Sequence, residues 1–286
     1  MPLADASQTG RRVWLVTGAN SGLGRAVTEA AVAAGDLVVA TARRVSSLDD
    51  LSAGHPNQID AVQLDVTDLD GIEKLVDRTV ERHGRIDVLV NNAGRTHVGA
   101  VEETTDTELR SLFDVHLFGP TALVRAVLPH MRSRRSGAIV QLSSVGGQMS
   151  FAGFSAYSAT KFALEGLSEA LADEVQPFGI KVLIVEPGAF RTGLFGNASE
   201  SLATDTYAES VGGTRNIVRT SDGSQSGDPA KAARAILAAL DADRTPLRLA
   251  LGSDAVDAIY AHLGAVRDEL TTWEKVARDT AHDEPR

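Results

Sequence analysis

Val13-Trp14-Leu15-Val16-Thr17-Gly18-Ala19-Asn20-Ser21-Gly22-Leu23-Gly24 is the stretch whose reading decides the fold. Its first four residues are apolar and read as a buried strand, and a helical pattern runs on from Arg25 to Ala34. Strand, glycine-rich turn and helix, in that order, present backbone N–H groups and a helix N-terminus to a phosphate. Gly18, Gly22 and Gly24 permit positive φ and the close approach of a pyrophosphate. Their spacing differs from the common G-x-G-x-x-G fingerprint. A plain strand-to-helix turn is the alternative, and three glycines at this place favour phosphate binding over it.

Working outward, apolar runs at 37–42, 61–64, 86–90, 138–142, 180–185 and 247–251 read as further strands. Helical patterns lie between them at 69–83, 105–135, 156–176, 229–240 and 254–278. The long pattern at 105–135 contains Gly119-Pro120, which should bend it, because proline removes one helix hydrogen bond. This alternation predicts one α/β domain. We expect a doubly wound Rossmann fold with a mostly parallel seven-stranded sheet and helices on both faces. Within it, 12–192 forms the expected core, 193–228 a polar substrate lid, 229–278 a helix–strand–helix and 279–286 a frayed tail.

Composition removes several classes of function. The net charge of -10 weighs against a nucleic-acid partner. With no cysteine there is no disulfide, thiol nucleophile or cysteine metal site, and we expect no metal and a cytoplasmic location. Met1 to Arg12 is polar and lacks the apolar core of a secretory signal, and no apolar run reads as long enough to cross a membrane.

The residues that carry chemistry fall at strand ends. In dinucleotide folds an acid about twenty residues past the glycine turn takes the ribose hydroxyls. Here that place is Ala42, followed by Arg43, whose paired donors suit a 2′-phosphate. The reading is NADP(H), with NAD(H) possible. Asp65-Val66 ends the third strand, where the acid would accept from adenine or serve as a turn aspartate. Asn91-Asn92-Ala93-Gly94 ends the fourth, with small and amide residues that let a backbone pass close to a cofactor. Ser144 follows the fifth. Tyr157 and Lys161 are four apart, on one helix face, where an ammonium should lower the phenol's pKa. Pro187-Gly188 and Phe190-Arg191-Thr192 follow the sixth strand.

Together, from about Val13 to Thr192, these motifs resemble the short-chain dehydrogenase/reductase family. The segment Tyr157 to Gly166 is especially similar to the branch containing 17β-hydroxysteroid and retinol dehydrogenases. The resemblance implies that Gly18, Asn20, Ser21, Gly22, Leu23 and Gly24 line the pyrophosphate and ribose. It places Arg43 at the 2′-phosphate, Asp65 and Val66 beside adenine, and Asn92, Ala93 and Gly94 along the cofactor. Pro187, Gly188, Phe190 and Thr192 would hold the nicotinamide end. Tyr157 would be the acid/base, Lys161 would bind the ribose and bias the phenol, and Ser144 would hold the substrate oxygen. His116 stands where the family usually has an asparagine, and it would relay protons, titrate, or pack as a satisfied histidine. The implied reaction joins NADP(H) to a hydrophobic ketone or secondary alcohol in a homodimer or homotetramer. The two helices around Leu109 to Met131 and Ala156 to Gln176 would pair across subunits. An NAD-dependent dehydrogenase and a non-catalytic NAD(P) sensor are the alternatives.

Overall fold

The computed structural model describes residues 10–282, so our readings of the first nine residues and of the tail from Asp283 lie outside them. Seven strands form one parallel sheet in the order β3-β2-β1-β4-β6-β7-β9. They are β1 (Val13–Thr17), β2 (Leu37–Ala42), β3 (Ile59–Gln63), β4 (Val88–Asn91), β6 (Gly137–Leu142), β7 (Ile180–Pro187) and β9 (Arg248–Leu251). Two short strands, β5 (His97–Val98) and β8 (Ser199–Glu200), pair apart from it. The apolar run of β1 is buried along its whole length, as a parallel strand covered on both faces must be.

The helices are α1 (Gly22–Ala33), α2 (Asp49–Gly54), α3 (Leu69–His83), α4 (Asp106–Phe113), α5 (Gly119–Arg134), α6 (Ser155–Val175), α7 (Ala208–Thr220), α8 (Pro229–Asp241) and α9 (Ser253–Arg278). Val27, Ala31, Ala233 and Ile236 of α1 and α8 pack on one face of the sheet, beside Val16 and Val38. Ile72, Val76, Leu123, Val127 and Leu171 of α3, α5 and α6 cover the other, beside Leu15 and Leu89. The chain order reverses between β1 and β4. In a doubly wound sheet the crevice opens there, beyond the carboxyl ends of the strands. The sequence reading of one doubly wound α/β domain therefore holds.

Two expectations need correction. The long helix expected at 105–135 is α4 and α5 joined by a π-helical turn, Asp114–Phe118. Gly119 makes that arrangement possible, because a Cβ there would strike the carbonyl oxygen of Val66. The combined rod Asp106–Arg134 is also, by length and composition, apolar enough to cross a membrane, contrary to our reading. Its apolar character has a visible use, since Leu123, Val124, Val127 and Met131 are buried against the sheet.

Candidate active site

A cavity of about 650 Å³ opens at the carboxyl end of the sheet. At one end lies the turn between β1 and α1. Gly18 and Gly22 have positive φ, 64° and 55°, a region closed to most side chains. Asn92 at the end of β4 pins this turn by donating from Nδ2 to the carbonyls of Thr17 (2.8 Å) and Gly18 (3.1 Å). Thr17 Oγ1 answers by accepting from the N–H groups of Asn92 and Ala93, each at 3.0 Å. A Cβ on Gly22 would come within 3.0 Å of Thr192 Cβ, so the turn packs closely under the loop after β7.

Gly18, Asn20, Ser21, Gly22 and Leu23 line the cavity with Asn92, Ala93, Gly94, Pro187, Gly188, Phe190 and Thr192. Gly24 does not line it. A side chain there would run into Asn92 Nδ2 and the Gly18 carbonyl, so this glycine serves packing beneath the turn. Arg43 and Arg44 border the same end and are exposed, and Arg43 makes no ion pair among the described residues. Asp65 is a turn aspartate, with Oδ1 accepting from the Thr67 N–H (3.0 Å) and hydroxyl (2.8 Å). Those bonds and the nearby Arg43 charge keep its carboxyl ionised below the usual range. Open glycine backbone at a helix N-terminus and an unpaired guanidinium fit a dinucleotide.

The other end carries the hydroxyls. Ser144, just past β6, accepts from the Gly146 N–H at 3.0 Å, which leaves its proton free to point into the cavity. Tyr157 stands on the first turn of α6. Burial pushes its phenol pKa up, and the Ser144 hydroxyl opposes the rise. Lys161 is one turn on and buried, and burial lowers its pKa to about 8. Its Nζ donates to the carbonyl of Leu142 at 2.8 Å and sits 5.8 Å from the Tyr157 ring centre. The ammonium was expected to pull the phenol's pKa down. In this structure burial raises it instead, while the ammonium is bonded to the Leu142 carbonyl.

His116 sits in the π-helical turn and is almost fully buried. The Arg95 N–H donates to its Nε2 at 3.1 Å, so the ring proton is on Nδ1 and faces Thr160 Oγ1 at 2.8 Å. Thr160 in turn donates to the Tyr157 carbonyl at 2.7 Å. Burial, with the Lys161 and Arg95 charges, drives the imidazole pKa well below its usual value. Of the three readings of His116, the geometry fits the packed histidine, a buried ring hydrogen-bonded at both nitrogens. His116 ties the loop after β4 to the backbone of Tyr157 and meets the phenol edge-on, with ring centres 5.7 Å apart.

Sequence reading missed the acidic cluster beneath Lys161. Glu165, Glu186 and Arg248 converge there, with Arg248 Nε 3.1 Å from Glu165 and 3.4 Å from Glu186. Burial and the neighbouring Glu186 raise Glu165 to about 7. The signal was present, since Tyr157, Lys161 and Glu165 continue one helix face at steps of four. Arg95 and Ser111 in the cavity wall, joined by a 2.6 Å hydrogen bond, carried no such signal.

The stretch after β7 brings Leu194 and Phe195 to the cavity. Behind them α7 is tied down by buried Arg215, which reaches Glu103 (2.8 Å) and Glu200 (3.0 Å). His97 of β5 holds Ser199 and Ser201 at 2.9 Å each.

The chain matches the short chain dehydrogenase family over residues 12–203. It is similar to oxidoreductase BOA17 of Botryotinia fuckeliana, at 39% identity over 86% of this chain and 90% of that one. A crystal structure of a short-chain dehydrogenase from Streptomyces avermitilis is 64% identical and covers 95% of this chain and 98% of its own, with a TM-score of 0.91. A metagenomic short-chain oxidoreductase solved in complex with NADP is 27% identical over 84% of this chain and 96% of that one, with a TM-score of 0.67. The sheet order, the pinned glycine turn and these matches agree, and the chain belongs to the short-chain dehydrogenase/reductase family of oxidoreductases.

Proposed function

We propose that this chain interconverts a hydrophobic ketone and its secondary alcohol with NADP(H), Tyr157 being the acid/base. One observation carries the reading: Ser144 and Tyr157 line a cavity whose other end is a glycine turn bordered by an unpaired Arg43. When bound, the nicotinamide supplies or accepts the hydride. Gly18, Asn20, Ser21, Gly22 and Leu23 would hold the pyrophosphate and ribose. Asp65 and Val66 would flank adenine, and Asn92, Ala93 and Gly94 would lie along the cofactor. Pro187, Gly188, Phe190 and Thr192 would hold its nicotinamide end.

The chain's own groups do the rest. Ser144 Oγ and Tyr157 Oη donate to the ketone oxygen, and Tyr157 gives its proton as negative charge builds there. The half-buried phenol, its pKa raised by burial, serves as donor in reduction and, as phenolate, as acceptor in oxidation. Lys161 would exchange its bond to the Leu142 carbonyl for the ribose hydroxyls, bringing its charge to bear on the phenolate left behind. His116, neutral and tethered, holds the backbone of Tyr157 in register with the loop after β4. Leu194 and Phe195 give the substrate an apolar wall. The cofactor choice rests on Arg43 at the rim of the cavity.

Titration of NADPH and NADH by nicotinamide fluorescence tests the cofactor half. Wild type should bind NADPH more tightly. Arg43→Ala should weaken NADPH by about 10- to 100-fold, the worth of roughly 1.5–3 kcal/mol for hydrogen bonds to a charged group, and leave NADH unchanged. Equal affinities in wild type would overturn the NADP(H) assignment and leave the NAD-dependent reading in its place.

A further inference from the structure

Helix α9 leaves the body of the protein soon after it begins. Its one buried residue is Ala255, and every described residue from Ala265 onward is exposed. Yet the exposed part is not polar. Ile259, Leu263, Val266, Leu270, Trp273 and Ala277 recur at alternating steps of four and three, the a/d seam of a coiled coil. Tyr260 is 73% exposed, Leu270 65% and Trp273 60%.

A single helix of this kind is marginal in water, where helical stability comes mostly from packing an apolar face. The exposed apolar side chains from Tyr260 to Val276 present roughly 700 Å², taking about 150–250 Å² for a full aromatic and somewhat less for an aliphatic. That is above the largest patch of a typical monomer, about 300–600 Å². It approaches the ~800 Å² per partner of a specific interface.

We propose that α9 is a docking arm for α9 of a second copy of this chain, packed antiparallel. The charges beside the seam select this occupant and this direction. Arg267 and Glu274 flank the seam on the same side, one heptad apart. Antiparallel packing that sets Leu270 beside the partner's Trp273 brings Arg267 opposite the partner's Glu274. Two-fold symmetry repeats the pair. A parallel, in-register pair would instead set Glu269 against the partner's Glu274, which repels. The Glu274–Arg278 pair within the helix (2.7 Å) is exposed and exchanges freely. From Tyr260 to Arg278 the charges balance, three basic against three acidic, so the helix lacks the basic face of a membrane-surface helix. This contact is separate from the pairing of the long helices suggested by family resemblance.

Sedimentation velocity on the full-length chain tests it. Leu270→Glu with Trp273→Glu should halve the mass of the wild-type assembly and leave the melting temperature of the body unchanged, because those side chains are mostly exposed and lie outside the sheet's two buried clusters. Arg267→Glu alone and Glu274→Arg alone should each weaken assembly by about 3- to 10-fold, the effect of opposing like charges beside a seam. The double exchange Arg267→Glu with Glu274→Arg should restore it. A monomeric wild type, an unchanged mass in the Leu270/Trp273 variant, or a double exchange no better than either single would each overturn the proposal. In the last case the seam holds a different partner or runs parallel.

Discussion

The two ends of the cavity are built from different materials. At the glycine end the recognition surface is backbone: Gly18 and Gly22 in left-handed conformations, Asn92 clamping two carbonyls, and Gly24 excluded from having a side chain. Tolerances there are steric and independent of pH. At the tyrosine end the working groups are ionisable: half-buried Tyr157, buried Lys161 and, behind them, buried Glu165. Their state is set by the balance of burial against neighbouring charge. One end is a matter of shape and the other of proton affinity, and substitutions at each should fail in different observables.

The largest expected effect separates chemistry from binding. Tyr157→Phe removes the proton donor and keeps the ring against His116 and Phe154. Ketone-dependent oxidation of NADPH should fall by about 10²- to 10⁴-fold, the usual worth of a positioned acid. NADPH affinity should change little. Strong residual turnover, or loss of NADPH binding, would break the division between the two ends.

A smaller effect should appear at the glycine end. In Gly24→Ala the new methyl meets Asn92 Nδ2 and the Gly18 carbonyl, so the clamp or the turn must shift. Overpacking of this kind costs about 1–3 kcal/mol, against a gain of about 1 kcal/mol from replacing glycine in a helix. The backbone carbonyl cannot move away cheaply, so the melting temperature should fall by a few degrees in thermal unfolding. NADPH and NADH binding should weaken together, because the cradle is shared. Loss of one cofactor alone would show that the turn discriminates between them, which a purely steric end does not do.

The contrast also explains what the sequence disclosed. Strands such as Val13–Thr17 were legible because a doubly covered sheet demands unbroken apolar runs, and the glycine turn because only glycine suits those φ values. Tyr157 and Lys161 were legible as a pair, but the direction of the phenol's pKa was not. Spacing reports that two groups are neighbours and says nothing of how dry the site is. Burial can move a pKa by several units, and here it raises the phenol's while the Lys161 ammonium is bonded to the Leu142 carbonyl. The π-helical turn escaped for a similar reason. Gly119-Pro120 announced a bend, while the extra residue per turn depends on how Gly119 meets Val66 and how His116 meets Arg95 and Thr160, all contacts across the fold. The clamp of Arg215 on Glu103 joins positions 112 residues apart, and polar composition there gave no hint of it.

The smallest expected effect sharpens the proton-affinity end. Glu165 is raised to about 7 in the folded chain, by burial first and by the charge of Glu186. Its unfolded value is close to the ordinary 4.5. Between those values the folded state binds more protons than the unfolded state, so stability falls as pH rises. The contribution is fully present below pH about 4.5 and lost by pH about 7. Wild type should therefore lose melting temperature between pH 5.5 and pH 8 (~5.5 and ~8, a window spanning the shifted value). Glu165→Gln, which cannot ionise, should lose less over that window. The substitution also removes a partner of Arg248, which lowers stability at every pH, so the slope rather than the absolute value is the readout. In the same variant Lys161 loses the carboxylate that favours its charged form, and its pKa should move below about 8. The pH profile of turnover should follow that shift, while NADPH affinity at the glycine end stays level across it. Parallel slopes in wild type and variant would mean that Glu165 keeps an ordinary carboxyl pKa and that the acidic cluster takes no part in setting the proton affinity of Lys161.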